Sequence, residues 1–212
     1  MPLPKKSLLL LLPLLLAGCG REGQFTRAGI VTTRTACPAV AIPAGTGDIT
    51  LFDPPSSRDA RAIDVVAYVT NVRAACDDSG EYLLAGANFE VHGSRRDAEG
   101  AREVILPYFA TVVHAGDRVV AKDVSRVALR FEPGQHRAST SAAASARILR
   151  SAATLPEEIR ERITREREPG DPEAAIDPMS DPDVRAAVKR ASFELLVGFQ
   201  LTEDQLAYNV TR

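Results

Sequence analysis

The side chains best suited to chemistry in this sequence are three cysteines and three histidines. His92, His114 and His136 lie on separate segments, without the H-x-H or H-E-x-x-H spacing that brings two imidazoles to one metal ion. There is no C-x-x-C pair, and no histidine stands beside Cys37 or Cys76. We therefore predict no metal site and no cofactor, and we interpret the histidines as surface or turn residues.

Serine chemistry has little support in the sequence. There is no G-x-S-x-G motif, and the serines between positions 139 and 151 lie in an alanine-rich segment with no base nearby. We predict that the protein is not an enzyme, and we assign no catalytic residue. Because catalytic triads assemble from residues that are distant in sequence, a hydrolase stays open as the least favoured function.

Cys19 ends a segment that is organised like an export signal. Lys5 and Lys6 precede an apolar stretch over residues 7–17, and Gly18 stands directly before the cysteine. The stretch is too short to cross a bilayer, because a spanning helix needs about 20 apolar residues. A transmembrane anchor and cleavage by an ordinary signal peptidase are the less favoured alternatives to the interpretation that follows.

The run Leu16-Ala17-Gly18-Cys19 resembles the cleavage box of a bacterial lipoprotein precursor. The resemblance implies that residues 1–18 are a signal peptide and that Cys19 receives a diacylglyceryl thioether. The new amino group would then be acylated, for example with palmitate, so that membrane lipid holds the protein through Cys19. In Gram-negative lipoproteins, a residue other than aspartate at the next position, here Gly20, favours the outer membrane. We predict its periplasmic face, with the inner membrane and the cell surface as alternatives.

The predicted mature chain is mildly acidic. Removing residues 1–18 takes two lysines from the 26 basic residues and none of the 28 acidic ones, which leaves 24 against 28, a net charge of −4. Binding to a phosphate backbone usually leaves a basic patch, and no cluster of Lys or Arg provides one. We therefore predict no nucleic-acid partner. The absence of tryptophan weakens glycan stacking as a mode of binding.

Two thiols remain if Cys19 carries lipid. Cys37 and Cys76 would then lie in an exported, oxidising compartment, where paired cysteines form disulfides. We predict that they pair and close a span of 39 residues. A redox pair and a metal site are the alternatives.

Alternating apolar and polar residues dominate from about residue 37 to residue 132, which is typical of strands. In one run, every second residue is apolar and is predicted to face the core: Leu83, Ala85, Ala87, Phe89 and Val91. His92 has the opposite parity and is predicted to face water. In the preceding run, Val66, Tyr68 and Val72 share a parity with Cys76. This parity predicts that Cys76 points inward if no bulge intervenes. Pro107 predicts that its strand lies at a sheet edge or contains a bulge.

The segment from 136 to 191 differs in kind. Residues 136–150 fit either a strand or a helix, because alanine favours helix while the preceding residues could extend a sheet. Thr154 with Glu157 predicts the start of a helix, and Asp181 with Pro182 predicts the start of another. The acidic loop between them lacks the spacing and glycine of an EF-hand, so we predict a solvated connection. A clearly alternating strand follows at 193–201, and Thr202 with Gln205 predicts one helical turn ending near Tyr208-Asn209.

The segment 196–209, LVGFQLTEDQLAYN, resembles the end of an uncharacterised family of proteobacterial lipoproteins. Cys37-Pro38, residues 68–76 and Pro107-Tyr108-Phe109 contribute to the resemblance. It implies a shared fold and an envelope location, and it carries no assigned activity. It also implies that residues 137–190 are an insertion, because the connection before the last strand is often shorter in that family.

These features predict a mainly β protein, an antiparallel β-sandwich for which an immunoglobulin-like arrangement is one form. The sandwich would cover residues 37–209, with a tether at 19–36 and a helical or loop insertion at 137–190 before the last strand. The predicted function is a non-catalytic periplasmic module that binds an envelope protein of unknown identity or supports envelope assembly, with the insertion as its adaptable surface. A lipoprotein that binds a small ligand or an envelope polymer is the alternative.

Overall fold

The computed structural model of the chain describes residues 24–26, 29–31, 34–166, 170–173 and 176–211. The predicted signal peptide at 1–18 and the predicted lipidation site Cys19 lie outside the described residues.

The regular elements follow the chain in an order that is mainly β. The strands are β1 (Gln24–Thr26), β2 (Gly29–Val31), β3 (Ala39–Ala41), β4 (Asp48–Phe52), β5 (Ile63–Asp77), β6 (Tyr82–Arg95), β7 (Arg102–His114), β8 (Arg118–Phe131), β9 (Arg137–Leu149) and β10 (Phe193–Phe199). The helices are α1 (Arg150–Ala153), α2 (Glu157–Thr164), α3 (Pro182–Arg190) and α4 (Glu203–Thr211), with 3-10 turns at Ala60–Ala62 and Pro178–Ser180.

Two four-stranded sheets form the body of the protein. Sheet I has the order β3-β10-β7-β8, and sheet II has the order β4-β5-β6-β9. Neighbouring strands are antiparallel except for β3 and β10, which are parallel. Buried side chains from both sheets, including Leu83, Phe131 and Phe199, belong to one apolar core. The predicted β-sandwich is confirmed, with helices before its last strand.

The strands connect in a Greek-key path. β7, β8 and β9 follow one another around one edge of the sandwich, and β10 returns after a long connection to pair with β7. The orders of both sheets differ from the A-B-E-D and C-F-G orders of the seven-stranded immunoglobulin fold. The difference arises because β4, β5 and β6 stay together as a meander in sheet II.

Strand β9 settles the segment that the sequence left open. Residues 137–149 pair with β6 along their whole length, so the predicted insertion begins with a sandwich strand, and the helical part covers only 150–191. Inward-facing alanines alternate with exposed serines, and Ala144 and Ile148 are buried in the core. Burial against the opposite sheet outweighs the helix propensity of alanine here.

Strand β5 corrects the predicted orientation of Val66 and Tyr68. Val65, Ala67 and Val69 are buried, so Tyr68 lies on the outer face. The pairing register with β6 shifts between Thr70 and Arg73, so Cys76 stands opposite the buried Ala85 and faces the other sheet, although it is exposed near the end of the strand. The predicted parity was wrong for the first half of β5 because valines occupy both parities, and the bulge then reverses the parity in the second half.

Pro107 lies in an inner strand, not at an edge, and the predicted alternative of a bulge is met further along β7, where the register with β8 shifts between Val112 and Val113. β7 is flanked by β10 and β8, but the pairing with β10 ends at Tyr108. The Pro107 carbonyl accepts a hydrogen bond from the Gln200 N–H (2.9 Å) on that side. In a strand, the N–H and C=O of one residue point to the same side, so the N–H that proline lacks would have pointed beyond the end of β10. The missing donor therefore removes no hydrogen bond to a residue within β10.

Local capping signals were reliable for two helices. Asp181 accepts hydrogen bonds from the N–H groups of Asp183 and Val184 and starts α3, as predicted. Thr202 and Gln205 bond each other's backbone N–H groups and start α4. By contrast, α2 begins at Glu157 without a side-chain cap, because the Thr154 hydroxyl donates to the Arg150 carbonyl instead.

Candidate functional site

The predicted disulfide is present. Cys37 and Cys76 are bonded, with an S–S distance of 2.01 Å. Cys37 precedes β3 of sheet I and Cys76 lies near the end of β5 in sheet II, so the bond joins the two sheets outside the core. Cys76 is exposed. The disulfide therefore fixes Cys37, where the chain enters the sandwich, to the end of β5.

Arg34 makes a second connection at the same end of the molecule. Its guanidinium donates hydrogen bonds to the carbonyls of Val188 and Ala191, both at 3.1 Å, and to the Ser192 hydroxyl at 3.0 Å. These groups lie at the C-terminal end of α3, where carbonyls lack partners within the helix. Burial lowers the pKa of Arg34. The predicted tether at 19–36 is thus bound to the helical segment at position 34, and β1 and β2 pair as a small antiparallel sheet within it.

The helical segment has a small apolar core of its own. Ile159 and Ile163 of α2 pack with Val184 and Ala187 of α3, separately from the core of the sandwich. Two ion pairs hold the intervening chain against α2: Arg162 with Asp181, and Arg165 with Glu173 at 2.7 Å. Because both ion pairs are partly exposed, they add little to the stability of this segment beyond its small apolar core.

A cleft of about 590 Å³ lies between α2 and the chain leading into α3. Its walls carry five carboxylates and two guanidinium groups, a net charge of −3: Glu158, Glu161, Glu173, Asp177, Asp181, Arg162 and Arg165. The N–H of Asp183, followed by Arg162, holds the pKa of Asp181 below its ordinary value. Glu158 and Glu161 make no ion pair within the described part of the chain. We call this feature the acidic cleft, and its charge favours a cationic occupant.

A second concave surface lies on the outer face of sheet II. Asn71, at the bulge of β5 with a positive φ of 51°, donates its amide to one oxygen of Glu90 at 2.8 Å. His92 lies 2.9 Å from the other oxygen, and its ring stacks on Tyr68 with centroids 5.6 Å apart. The hydrogen bonds from His92 and Asn71 lower the pKa of Glu90. The concave part is lined by Asn71 and Glu90 together with Arg73, Asn88 and Ser141, and His92 and Tyr68 adjoin it through Glu90. We call this surface, with the two adjoining rings, the polar groove.

The three histidines of the sequence do not come together. His92 belongs to the polar groove. His114 lies 2.6 Å from the Arg190 carbonyl and stacks on Phe193, and His136 lies 3.1 Å from the Arg95 carbonyl. Within the described ranges, no group of three or more His, Cys, Asp or Glu residues is placed so that it could hold a metal ion.

One serine lies beside a histidine and a carboxylate. Ser139 of β9 is the register partner of His92, which contacts Glu90. No hydrogen bond joins the Ser139 hydroxyl to His92 among the described residues. The set is also located on an outer sheet face instead of in a closed site, so it gives no support to a hydrolase.

Comparison with known proteins finds no match to a family, a curated protein or a solved structure. The resemblance to proteobacterial lipoproteins therefore stays a prediction. In the part of the chain that the structure describes, none of the helices has the length and apolar character needed to cross a membrane. The acidic cleft and the polar groove were both missed from sequence, because each brings together residues from separate elements.

Proposed function

We propose that this protein is a lipid-anchored lipoprotein of the bacterial envelope that binds a protein partner on its periplasmic domain without catalysing a reaction. The acidic cleft carries the proposal of a partner. It is large enough to take side chains from another protein, and its net charge of −3 favours a basic segment. The exposed disulfide supports an oxidising compartment, because such bonds form and persist there.

The anchor is tested by incorporation of labelled palmitate in cells that express the wild-type chain or Cys19→Ala. We expect the wild-type protein to carry label and to sediment with membranes, and the variant to do neither. Release of unlabelled wild-type protein by osmotic shock would refute the anchor.

The partner is tested by cross-linking in intact cells, followed by purification from solubilised envelopes. We expect one recurrent protein with the wild-type chain and a loss of about tenfold with Glu158→Lys/Glu161→Lys, which reverses charge in the cleft. The matched control is Glu99→Lys/Glu132→Lys, which reverses two exposed charges elsewhere. Recovery of no recurrent protein, or equal recovery with both pairs, would contradict the proposal.

The polar groove favours a second candidate function, binding of an envelope polymer. Its hydrogen-bonding groups and the stacked Tyr68 and His92 rings suit a sugar chain that lies along a sheet. Soluble N-acetylglucosamine oligomers would then shift the NMR signals of groove residues, and Glu90→Gln would weaken the effect. Unchanged spectra at millimolar oligomer would remove this candidate.

A further inference from the structure

The two sheets of the sandwich end in four edge strands, β3, β8, β4 and β9. An edge strand presents unpaired N–H and C=O groups and can accept a strand from another chain, so proteins usually protect such edges. The four edges of this protein differ in how they are protected.

Three of the edge strands are protected from pairing with another chain. β3 is only three residues long. Next to β4, the Asn209 amide of α4 donates to the carbonyls of Gly45 and Asp48, both at 2.8 Å. On β9, the Tyr108 hydroxyl reaches from sheet I and donates to the Ala143 carbonyl at 2.8 Å. Each of these edges is short or partly occupied by groups of the same chain.

The first half of β8 has no such protection in the described residues. Residues 118–124 are exposed on both faces, whereas Val127, Leu129 and Phe131 of the second half are buried in the core. β8 pairs only with β7, and no backbone group from another described element bonds to residues 118–126. The first half of β8 is therefore an open edge.

The open edge is also apolar. Val119, Val120 and Val124 are exposed to 60%, 49% and 52%. Lysine on an edge strand can prevent pairing, but the Lys122 ammonium lies over the Phe109 ring, 5.4 Å from its centroid, and so is drawn onto the face of the sheet. An added strand would remove the apolar area of these valines from water, so their exposure on an unpaired strand favours strand addition.

The charge of this edge selects the kind of strand. Residues 118–126 hold three basic side chains, Arg118, Lys122 and Arg126, against one acid, Asp123, a net charge of +2 in a chain whose overall charge is negative. Lys122, Val124 and Arg126 share one face of β8, so a strand that alternates apolar and acidic residues can place its carboxylates on this face, beside the two cations. Its apolar side chains then lie on the other face, beside Ala121.

We infer that residues 118–126 of β8 bind an extended acidic–apolar segment of the protein partner, which adds to sheet I as an antiparallel or parallel fifth strand. The inference rests on the proposed function in one respect, since it takes the partner to be a protein. The surface is distinct from the acidic cleft, so the two can be tested separately.

The test uses the oxidised chain without its signal peptide and lipid, and a short synthetic peptide that alternates valine with glutamate. Amide hydrogen exchange and NMR shifts are followed residue by residue. We expect the peptide to slow exchange and shift signals at residues 118–126, because added backbone hydrogen bonds protect edge amides. The matched peptide that alternates valine with lysine should bind roughly tenfold more weakly.

Two variants separate shape from charge. Val120→Asn/Val124→Asn, which removes two apolar side chains without adding charge, should abolish the shifts, while Val210→Asn, at an exposed valine of α4, should leave them unchanged. Lys122→Glu/Arg126→Glu should reverse the preference and favour the lysine peptide. Circular dichroism checks that each variant is folded.

The inference is overturned if neither peptide protects residues 118–126 at millimolar concentration, or if protection is the same in Val120→Asn/Val124→Asn. Those results would leave the envelope cross-linking unaffected, because that experiment depends on the acidic cleft. Conversely, peptide binding at β8 without any recurrent envelope partner would contradict the proposed function and leave the strand-addition site in place.

Discussion

Arg102 donates two hydrogen bonds to the carboxylate of Asp64, at 2.8 and 2.6 Å, and so joins β7 of sheet I to β5 of sheet II. The Asp64 side chain is largely buried, with 14% of its area exposed. The hydrogen bonds from Arg102 lower the pKa of Asp64 despite the opposing effect of burial. The pair is a charged link between the sheets, located away from the disulfide.

The lowered pKa of Asp64 predicts how acid affects stability. A carboxylate whose folded pKa lies below its unfolded value stabilises the fold above the unfolded pKa, and this contribution is lost as the pH falls through the folded pKa. We expect Asp64→Asn to lower the free energy of unfolding by about 1 kcal/mol at pH 7, a figure reduced for the partly exposed Arg102. Urea denaturation should show this difference shrinking below about pH 4. Asp204→Asn, in an exposed pair with Arg58, is the control. A difference that stays constant in acid would contradict this account.

The disulfide predicts a large effect of reduction. It closes a span of 39 residues, so its loss should cost about 4 kcal/mol through the added entropy of the unfolded chain. Because Cys76 is exposed, dithiothreitol should reduce the bond in the folded protein, as followed by thiol titration. Cys37→Ala/Cys76→Ala should match the reduced wild type in urea denaturation. Resistance to dithiothreitol until the protein unfolds would show that the bond is shielded.

The hydrogen bonds of the Arg95 side chain predict that it stabilises the fold. Among the described residues it is the one charged residue that is buried, at 5% exposure, and its guanidinium donates to the carbonyls of Gln135, Glu132 and Ala98. We expect Arg95→Met to cost about 3 kcal/mol, because carbonyls that lose a charged donor in a buried place are left unsatisfied.

Two further variants test this role. Arg95→Lys should recover only part of the loss, since an ammonium cannot reproduce the planar fork of donors. Arg96→Met, at an exposed neighbour, should change the free energy of unfolding by less than about 0.5 kcal/mol. Equal effects at positions 95 and 96 would rule out the proposed role.

The packing around Gly93 leaves no room for a side chain between the two sheets. A β-carbon at this position would lie 2.5 Å from Cδ1 of Leu129 and 3.3 Å from Cζ of Phe131, both on the opposite sheet. We expect Gly93→Ala to destabilise the fold by about 1–3 kcal/mol through overpacking. Gly100→Ala is the matched control, because nothing lies within 4 Å of its added carbon. Combining Gly93→Ala with Leu129→Val should restore part of the loss if the clash is the cause.

Sequence reasoning succeeded where a single parity carried the apolar residues. β6 has an apolar residue at every odd position from Leu83 to Val91, and all of these are buried, whereas Leu84 at an even position is exposed. β10 is equally clear, with Leu195, Val197 and Phe199 fully buried. The disulfide followed from counting cysteines, and the caps of α3 and α4 followed from local residue types. The strand parities and the caps depend on residues that are close in sequence. The disulfide could be predicted because only two cysteines remain once Cys19 is assigned to lipid.

Sequence reasoning failed where contacts between distant segments decide the conformation. Valines at both parities left the buried face of β5 undetermined until the register with β6 and its bulge were known. Alanines in β9 gain more from burial between two sheets than from helix formation, and only the tertiary structure supplies that burial.

By itself, the sequence determined the β-sandwich class, the paired cysteines and the position of the helical segment, because periodicity, residue counts and caps are encoded locally. Only the tertiary structure decided which strands lie at the edges, which carboxylates meet across the acidic cleft, and that β8 is open. These properties arise from the order in which strands pair, and that order is set by the packing of the whole chain instead of by any one segment.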